Sequence, residues 1–343
     1  MRAAVIRGHG GPEVISIEQI PEPEARPGEV VVELRAAALN HLDVWVRRGG
    51  RTELQWPHVI GSDGAGIVDS VGANVAGVEP GQKVVINAGL ACGSCEFCRA
   101  GEHSLCVHYG IIGMHRPGTY ADKVAVPARC IAPRPAELSF EEGAALGIAY
   151  TTAWRMLFSR AGLQPGETVL IHGIGGGVAL AALQFVKLAG ARAVVTSSSD
   201  GKLDRARKLG ADETVNYRDT DDVAAPVREL TNGRGVDVAF DSVGAATWPV
   251  DFAAVRRGGR IVLCGVTTGA EAETDLQALY WNQLTVLGST MGSDREFRRM
   301  LQTVEAGGVR PVIDSVVPLE EVAEAQRRME AGEQFGKIVL GIR

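Results

Sequence analysis

Between residues 168 and 288 the apolar residues fall in short unbroken runs, at 168–172, 192–196, 236–241, 259–264 and 284–288. The stretches 178–188 and 202–209 between them carry apolar residues at helical spacing. Strands apolar on both faces, alternating with amphipathic helices, predict a parallel sheet covered on both sides. The first 150 residues follow another rhythm. Runs at 3–6, 30–37, 66–71 and 83–86 are short and β-rich, with turns at 21–28, 72–74 and 80–81. Asn40 is placed to cap a short helix through Arg47, ended by Gly49 and Gly50. Beyond Gly292 the pattern predicts helices over 294–306 and around 319–329, then a closing strand over 336–342.

A chain of 343 residues is too long for one ordinary core and suits two domains. With 45% hydrophobic and 22% charged residues it reads as an ordinary globular protein. The net charge of −6, with no basic run, excludes nucleic acid and acidic membrane surfaces as expected partners. No uninterrupted apolar stretch reaches the eighteen or so residues of a membrane span. The opening residues carry no basic region followed by an apolar one, as a signal peptide would, so a cytoplasmic location is expected.

Four cysteines change the picture. Cys92, Cys95, Cys98 and Cys106 lie close enough in sequence to wrap one Zn²⁺ with four thiolates. Such a site has no open position for substrate, so the zinc is expected to build structure in the segment 89–107, which has little apolar patterning of its own. Disulfides would need an oxidising compartment, and iron–sulfur spacings place the fourth cysteine differently. Cys130 and Cys264 stand alone and read as small buried hydrophobes.

The run 169–179 passes from strand into helix through Gly173, Gly175, Gly176, Gly177 and Val178. Glycines at such a junction let the backbone approach a pyrophosphate, and the helix start offers unpaired N–H groups. The last glycine of the usual fingerprint is replaced by Ala179, still small enough for close packing. An NAD site would end its second strand in Asp or Glu. Here Ser197, Ser198 and Ser199 stand there, followed by Lys202 and Arg205, a set suited to the 2′-phosphate of NADPH, which is favoured over NADH. Asp200 comes three residues late and reads as a cap for the next helix. Val243 and Gly265 follow the 236–241 and 259–264 strands, at the end of a parallel sheet where ligands bind.

The cysteine lobe and glycine turn, with Asn40-His41-Leu42-Asp43, Gly61-Ser62-Asp63, Gly118-Thr119-Tyr120 and Phe335-Gly336-Lys337, resemble the medium-chain dehydrogenase/reductase superfamily over the whole chain. That resemblance implies an α/β protein: a GroES-like, mainly β catalytic domain over 1–148, a Rossmann domain with a doubly wound parallel sheet over 149–290, and a segment 291–343 returning to the first domain. It also implies a homodimer or homotetramer, with 284–288 as a pairing edge strand. Zinc alcohol dehydrogenases of the superfamily hold a second, catalytic zinc; at the matching positions this chain has Asn40, Ser62-Asp63 and Gly147. Asn, Ser and Gly supply neither thiolate nor imidazole, so one structural zinc per chain is expected and no catalytic one. In these positions the chain is similar to the zinc-free quinone oxidoreductases.

The expected activity is hydride transfer to an already electrophilic acceptor: a quinone, an enone or aldehyde, or an enoyl thioester. Asn40 is the candidate donor to the acceptor's oxygen, with Asp63 as anchor or base, Trp45 as an apolar wall, and Thr151 and Lys337 beside the cofactor. Tyr150 and His41 are possible proton donors. The alternatives are an alcohol dehydrogenase with an unusual metal site and a non-enzymatic NADPH-binding protein.

Overall fold

Two sheets of opposite character dominate the computed structural model, which describes residues 1–49 and 53–342. Gly50, named above as part of a helix end, lies outside the described residues. The chain divides into two compact units, Met1–Thr151 with Gly292–Arg343, and Thr152–Met291.

In the first unit a seven-stranded sheet has the order β10 (Ile131–Pro133), β6 (Lys83–Ile86), β5 (Asp63–Val71), β3 (Glu29–Ala38), β18 (Lys337–Gly341), β17 (Ile313–Pro318), and β9 (Lys123–Pro127) also pairs with β3. A smaller antiparallel sheet joins β2 (Ile15–Gln19), β1 (Arg2–Ile6) and β4 (His58–Val59). Central strands are buried on both faces: Val30, Val31, Val32, Leu34, Ala36, Ala37 and Ala38 of β3 are each no more than 1% exposed. The strand β18, near the end of the chain, enters the middle of this sheet antiparallel to β3. Helix α1 (His41–Arg48) follows β3, and α9 (Asp294–Ala306) and α10 (Val322–Glu330) belong to the returning segment. The pair β7 (Gly89–Leu90) and β8 (Gly110–Ile111) closes the base of the cysteine segment, which holds the short helix α2 (Glu96–Arg99) and a 3₁₀ turn over His103–Leu105.

The chain leaves this unit within α3 (Phe140–Trp154). The second unit is built on six parallel strands, β13 (Glu213–Asn216), β12 (Arg192–Ser197), β11 (Thr168–Ile171), β14 (Val236–Asp241), β15 (Val255–Leu263) and β16 (Thr285–Gly288), in that spatial order. This is the doubly wound order, with its switch point between β11 and β14. Helices α4 (Gly177–Leu188), α5 (Asp200–Lys208), α6 (Ala224–Glu229), α7 (Trp248–Ala254) and α8 (Leu276–Trp281) connect the strands. Its core has Leu170, Val194, Ala239 and Ile261 at no exposure, one from each of four neighbouring strands.

Cys264, read above as a buried hydrophobe, is only half-buried just past the end of β15. Asp200 does not cap α5: Ser199 does, accepting the Lys202 N–H, while Asp200 sits at the first helical position and accepts from Asn216 Nδ2 at 2.8 Å.

Candidate functional site

Three strand ends converge in the first unit. Ala38, the last residue of β3, pairs with Asp63 at the start of β5 on one side and with Val339 of β18 on the other. Asn40 lies two residues past Ala38 and Lys337 two residues before Val339, so antiparallel register sets them side by side. Lys337 Nζ donates to Asn40 Oδ1 at 2.6 Å and to Asp63 Oδ2 at 3.0 Å. The ammonium is 4% exposed and the carboxylate not at all. The other Asp63 oxygen accepts the backbone N–H of Ile148 at 2.7 Å. Gly147 makes this possible, since a Cβ there would stand 2.2 Å from Asp63 Oδ1. The residues at three positions expected to lack zinc ligands therefore fit one another: position 147 is empty, Asp63 fills it, and Asp63 with Asn40 holds a lysine cation.

A second buried carboxylate adjoins them. Asp43 at the third position of α1 reaches back to the Asn40 N–H at 2.8 Å, so Asn40 occupies the cap position while its side chain serves Lys337. Tyr120 donates to Asp43 Oδ2 at 2.6 Å and Ser62 to Oδ1 at 3.3 Å. Burial pushes the Asp43 carboxyl up to about 6, opposed by the Tyr120 and Asn40 donors. Asp43 and Tyr120 were given no individual role from sequence, because nothing local to either predicts the pairing across 77 positions. Trp45, two residues along α1 from Asp43, is half-buried. Thr151 is fully buried, and its Oγ1 has no hydrogen-bond partner among the described residues. His41 is exposed at the start of α1, and Tyr150 is buried in α3.

In the second unit β11 runs through His172 into Gly173 and Gly175, both at positive φ (+64° and +124°), a backbone that a side chain would strain. Gly176 is the N-cap of α4 and no side chain caps the helix, so the start through Gly177 and Val178 is left to an incoming anion. Ala179 is 1% exposed, consistent with a small residue at this packing contact. Beneath the turn His172 is buried, its Nε2 2.9 Å from Asp251 Oδ1 and its Nδ1 3.2 Å from Thr196 Oγ1. Next to this, Asp241 accepts the N–H groups of Val243 (2.6 Å) and Gly244 (3.1 Å). Gly265 packs so closely on Ser242 that a Cβ would lie 2.5 Å from its carbonyl oxygen. The turns bearing Val243 and Gly265 thus stack at the carboxyl ends of β14 and β15.

Burial pushes the Asp251 carboxyl up to about 7, and His172 is also shifted up: burial opposes its charge, but the field of Asp251 outweighs it. Asp251 holds its proton more tightly folded than unfolded, and the field that raises His172 exists only while Asp251 is ionised. The Asp251 contribution is therefore full in acid and declines as pH rises from about 4 through neutrality. Asp251→Asn should flatten the stability–pH profile over that range; urea denaturation at a series of pH values checks it, and an unaltered slope would refute the shift.

At the end of β12 Ser197 is buried, its Oγ accepting the Ser199 N–H at 3.2 Å, whereas Ser198 and Lys202 are half-buried. Register places Ser197 beside Asn216, so Tyr217 and Arg218, both exposed, follow next to it. Neither had been singled out from sequence, since only the parallel pairing of β13 brings them there.

The four lobe sulfurs of Cys92, Cys95, Cys98 and Cys106 lie within 4.8 Å of one another, and Cys92 Sγ is 4.0 Å from Cys98 Sγ. A tetrahedral site with bonds of about 2.3 Å has edges of about 3.8 Å, so the cluster fits a zinc ion. Backbone N–H groups of Cys92 and His108 point at Cys106 Sγ (3.3 and 3.4 Å), and that of Cys95 at Cys92 Sγ (3.4 Å). Burial pushes the Cys98 thiol up to about 12, so a cation is needed before all four ionise together. Among the described residues no other group of three or more His, Cys, Asp or Glu side chains is arranged to hold a metal.

A mainly β unit and a doubly wound unit with an uncapped glycine turn together define a pyridine-nucleotide oxidoreductase fold. Residues 26–136 match the alcohol dehydrogenase GroES-like domain and residues 177–306 the zinc-binding dehydrogenase domain. The chain is 37% identical to a zinc-type alcohol dehydrogenase-like protein of Schizosaccharomyces pombe, over 94% of this chain and 93% of that one. It is 28% identical to the quinone oxidoreductase of Homo sapiens, over 99% and 97%. A crystal structure of an NAD-dependent alcohol dehydrogenase superposes with a TM-score of 0.96 at 48% identity, covering all of both chains. The chain belongs to the medium-chain dehydrogenase/reductase superfamily and is an NAD(P)-dependent oxidoreductase.

Proposed function

We propose that this protein reduces an activated carbonyl or alkene, such as a quinone, an enone or aldehyde, or an enoyl thioester, with NADPH and without a catalytic zinc. The observation that carries this is the buried Lys337 ammonium held by Asn40 and Asp63, at the positions where the resemblance places zinc ligands. Bound dinucleotide supplies the hydride. Lys337 is proposed to stabilise negative charge developing on the acceptor's oxygen, with Asn40 and Asp63 fixing its position. Zinc is proposed for the four-cysteine lobe alone. An unactivated alcohol would lack the Lewis acid that makes its alkoxide, so alcohols are expected to be poor substrates.

The NADPH preference rests on the end of β12, where Asp200 is engaged by Asn216 and cations follow at Lys202 and Arg218. Steady-state turnover of 1,4-benzoquinone and of an enone should be faster with NADPH than with NADH. Arg218→Ala should narrow that gap about tenfold, the worth of one charge-assisted hydrogen bond. A preference for NADH would remove the NADPH reading, and turnover of simple alcohols above that of quinones and enones would favour an alcohol dehydrogenase.

A homodimer is also proposed. The edge strand β16 and the adjoining helix α8 expose Val286 (42%), Leu276 (69%), Tyr280 (65%) and Trp281 (65%). An unpaired edge beside apolar side chains suits pairing with a second copy. Val286→Lys with Trp281→Glu should yield monomers in sedimentation analysis; an unchanged assembly would place the contact elsewhere.

A further inference from the structure

The first unit contains a second feature that the oxidoreductase reading leaves unused. A cavity of about 610 Å³ opens beside β6 and β10, lined by Lys83, Val84, Ile131, Pro133, Arg129 and the α9 residue Arg298, among others. No Asp or Glu lines it. In a chain of net charge −6, this is a concentration of positive charge. Lys83 and Arg298 are exposed, and neither makes an ion pair or side-chain hydrogen bond among the described residues. Arg129 is anchored: its Nη1 donates to Asp294 at 3.0 and 3.1 Å, and its Nη2 to the carbonyls of Ala91 (3.1 Å) and Gly89 (3.4 Å). Apart from Gln82, the side chains of the remaining wall are apolar.

Arg129 has its counter-charge in Asp294, but Lys83 and Arg298 share the cavity wall with none among the described residues. An anion that bridges them removes their repulsion while gaining charge-assisted hydrogen bonds. The volume falls in the range of about 300–1,000 Å³ typical of small-molecule sites, too large for an inorganic ion alone. Val84, Ile131 and Pro133 offer a surface for a carbon skeleton. We propose that this cavity binds a small organic polyanion, a multiply charged carboxylate or phosphate ester, gripped by Lys83 and Arg298 beside the Asp294-paired Arg129. It shares no residue with the Lys337 cluster or the glycine turn, so it is a separate site.

Isothermal titration of the zinc-loaded full chain with citrate and with fructose 1,6-bisphosphate tests this. NADPH or NADH is held at saturation so that the glycine turn is already filled. Saturable binding of at least one probe is expected, with a Kd below about 1 mM; the tighter probe distinguishes the carboxylate from the phosphate class. Lys83→Glu with Arg298→Glu should weaken it at least about tenfold while dinucleotide affinity stays unchanged, and the milder Arg298→Gln should weaken it about threefold or more. Arg129 is left intact because it also holds the lobe carbonyls. Absence of saturable binding of either probe, or an affinity in the double variant within about twofold of the parent, would overturn the proposal.

Discussion

Replacing Lys337 by methionine should lower kcat about 10²–10³-fold, the usual cost of losing a preorganised charge at the atom where negative charge develops. It should also destabilise the protein by about 3–5 kcal/mol, because Asp63 would be left as an uncompensated buried carboxylate. The two effects separate in a double variant. Adding Asp63→Asn neutralises the orphaned charge and keeps an acceptor for the Ile148 N–H, so most of the stability should return. Turnover should not, since no cation remains. Urea denaturation and steady-state kinetics on the parent, the two single variants and the double variant give all four corners of the cycle. If Lys337→Met were less stable yet kept kcat within about threefold of the parent, the lysine would be a brace for the strand ends and the proposed role would fall.

Metal analysis should find one zinc per chain, and Cys98→Ser should remove it. Structural zinc contributes roughly 10 kcal/mol or more to the folding of small metal-built peptides, and the lobe has little else to hold it. Its two short strands pair over only two residues each, and Leu105 and Val107 are 50% and 61% exposed. The metal-free lobe should therefore open locally, giving protease cleavage between Cys92 and Cys106 and a lower melting midpoint. Two zinc ions per chain in the parent, with one retained in Cys98→Ser, would instead point to a metal near the chemistry and overturn the proposal of catalysis without zinc. The lobe is tied to the rest of its unit by Arg129 and Asp294, with Asn87 donating to the same carboxylate at 3.2 Å. Loss of the metal should therefore also loosen the start of α9, measurable as faster amide exchange there.

Most of the doubly wound sheet was legible because its central strands are apolar on both faces and its helices amphipathic, two periods that one pass along the chain separates. The half-exposed edge strand Glu213–Asn216 went unnamed. The glycine turn and the cysteine lobe were legible because their chemistry is local. Half-exposed strands were harder: Ile15–Gln19, Lys123–Pro127 and Ile313–Pro318 went unnamed, and the last of these is buried at no position. The candidate site was legible as a set of residue types and opaque as an arrangement. Lys337 stands 297 positions from Asn40 and 274 from Asp63, and only the register of β3, β5 and β18 makes them neighbours. His172 and Asp251, 79 positions apart, were hidden for the same reason. Asp200 shows the opposite error, where a local cap signal named the wrong residue of two adjacent candidates.

The placement of β18 has a consequence for biosynthesis. Every strand of the parallel sheet lies within Thr152–Met291, so that unit has its complete set of strands while translation is still in progress. The sheet begun earlier, with β3 and β5, waits for β18 to fill the gap between β3 and β17. During that interval the Ala36–Ala38 end of β3, beyond the stretch paired with β9, presents an open hydrogen-bonding edge on the ribosome-bound chain, and the Asp63 carboxylate lacks its cation. The unit whose synthesis starts first is thus the one finished last, and nascent chains should depend on chaperone protection until residues 337–341 emerge.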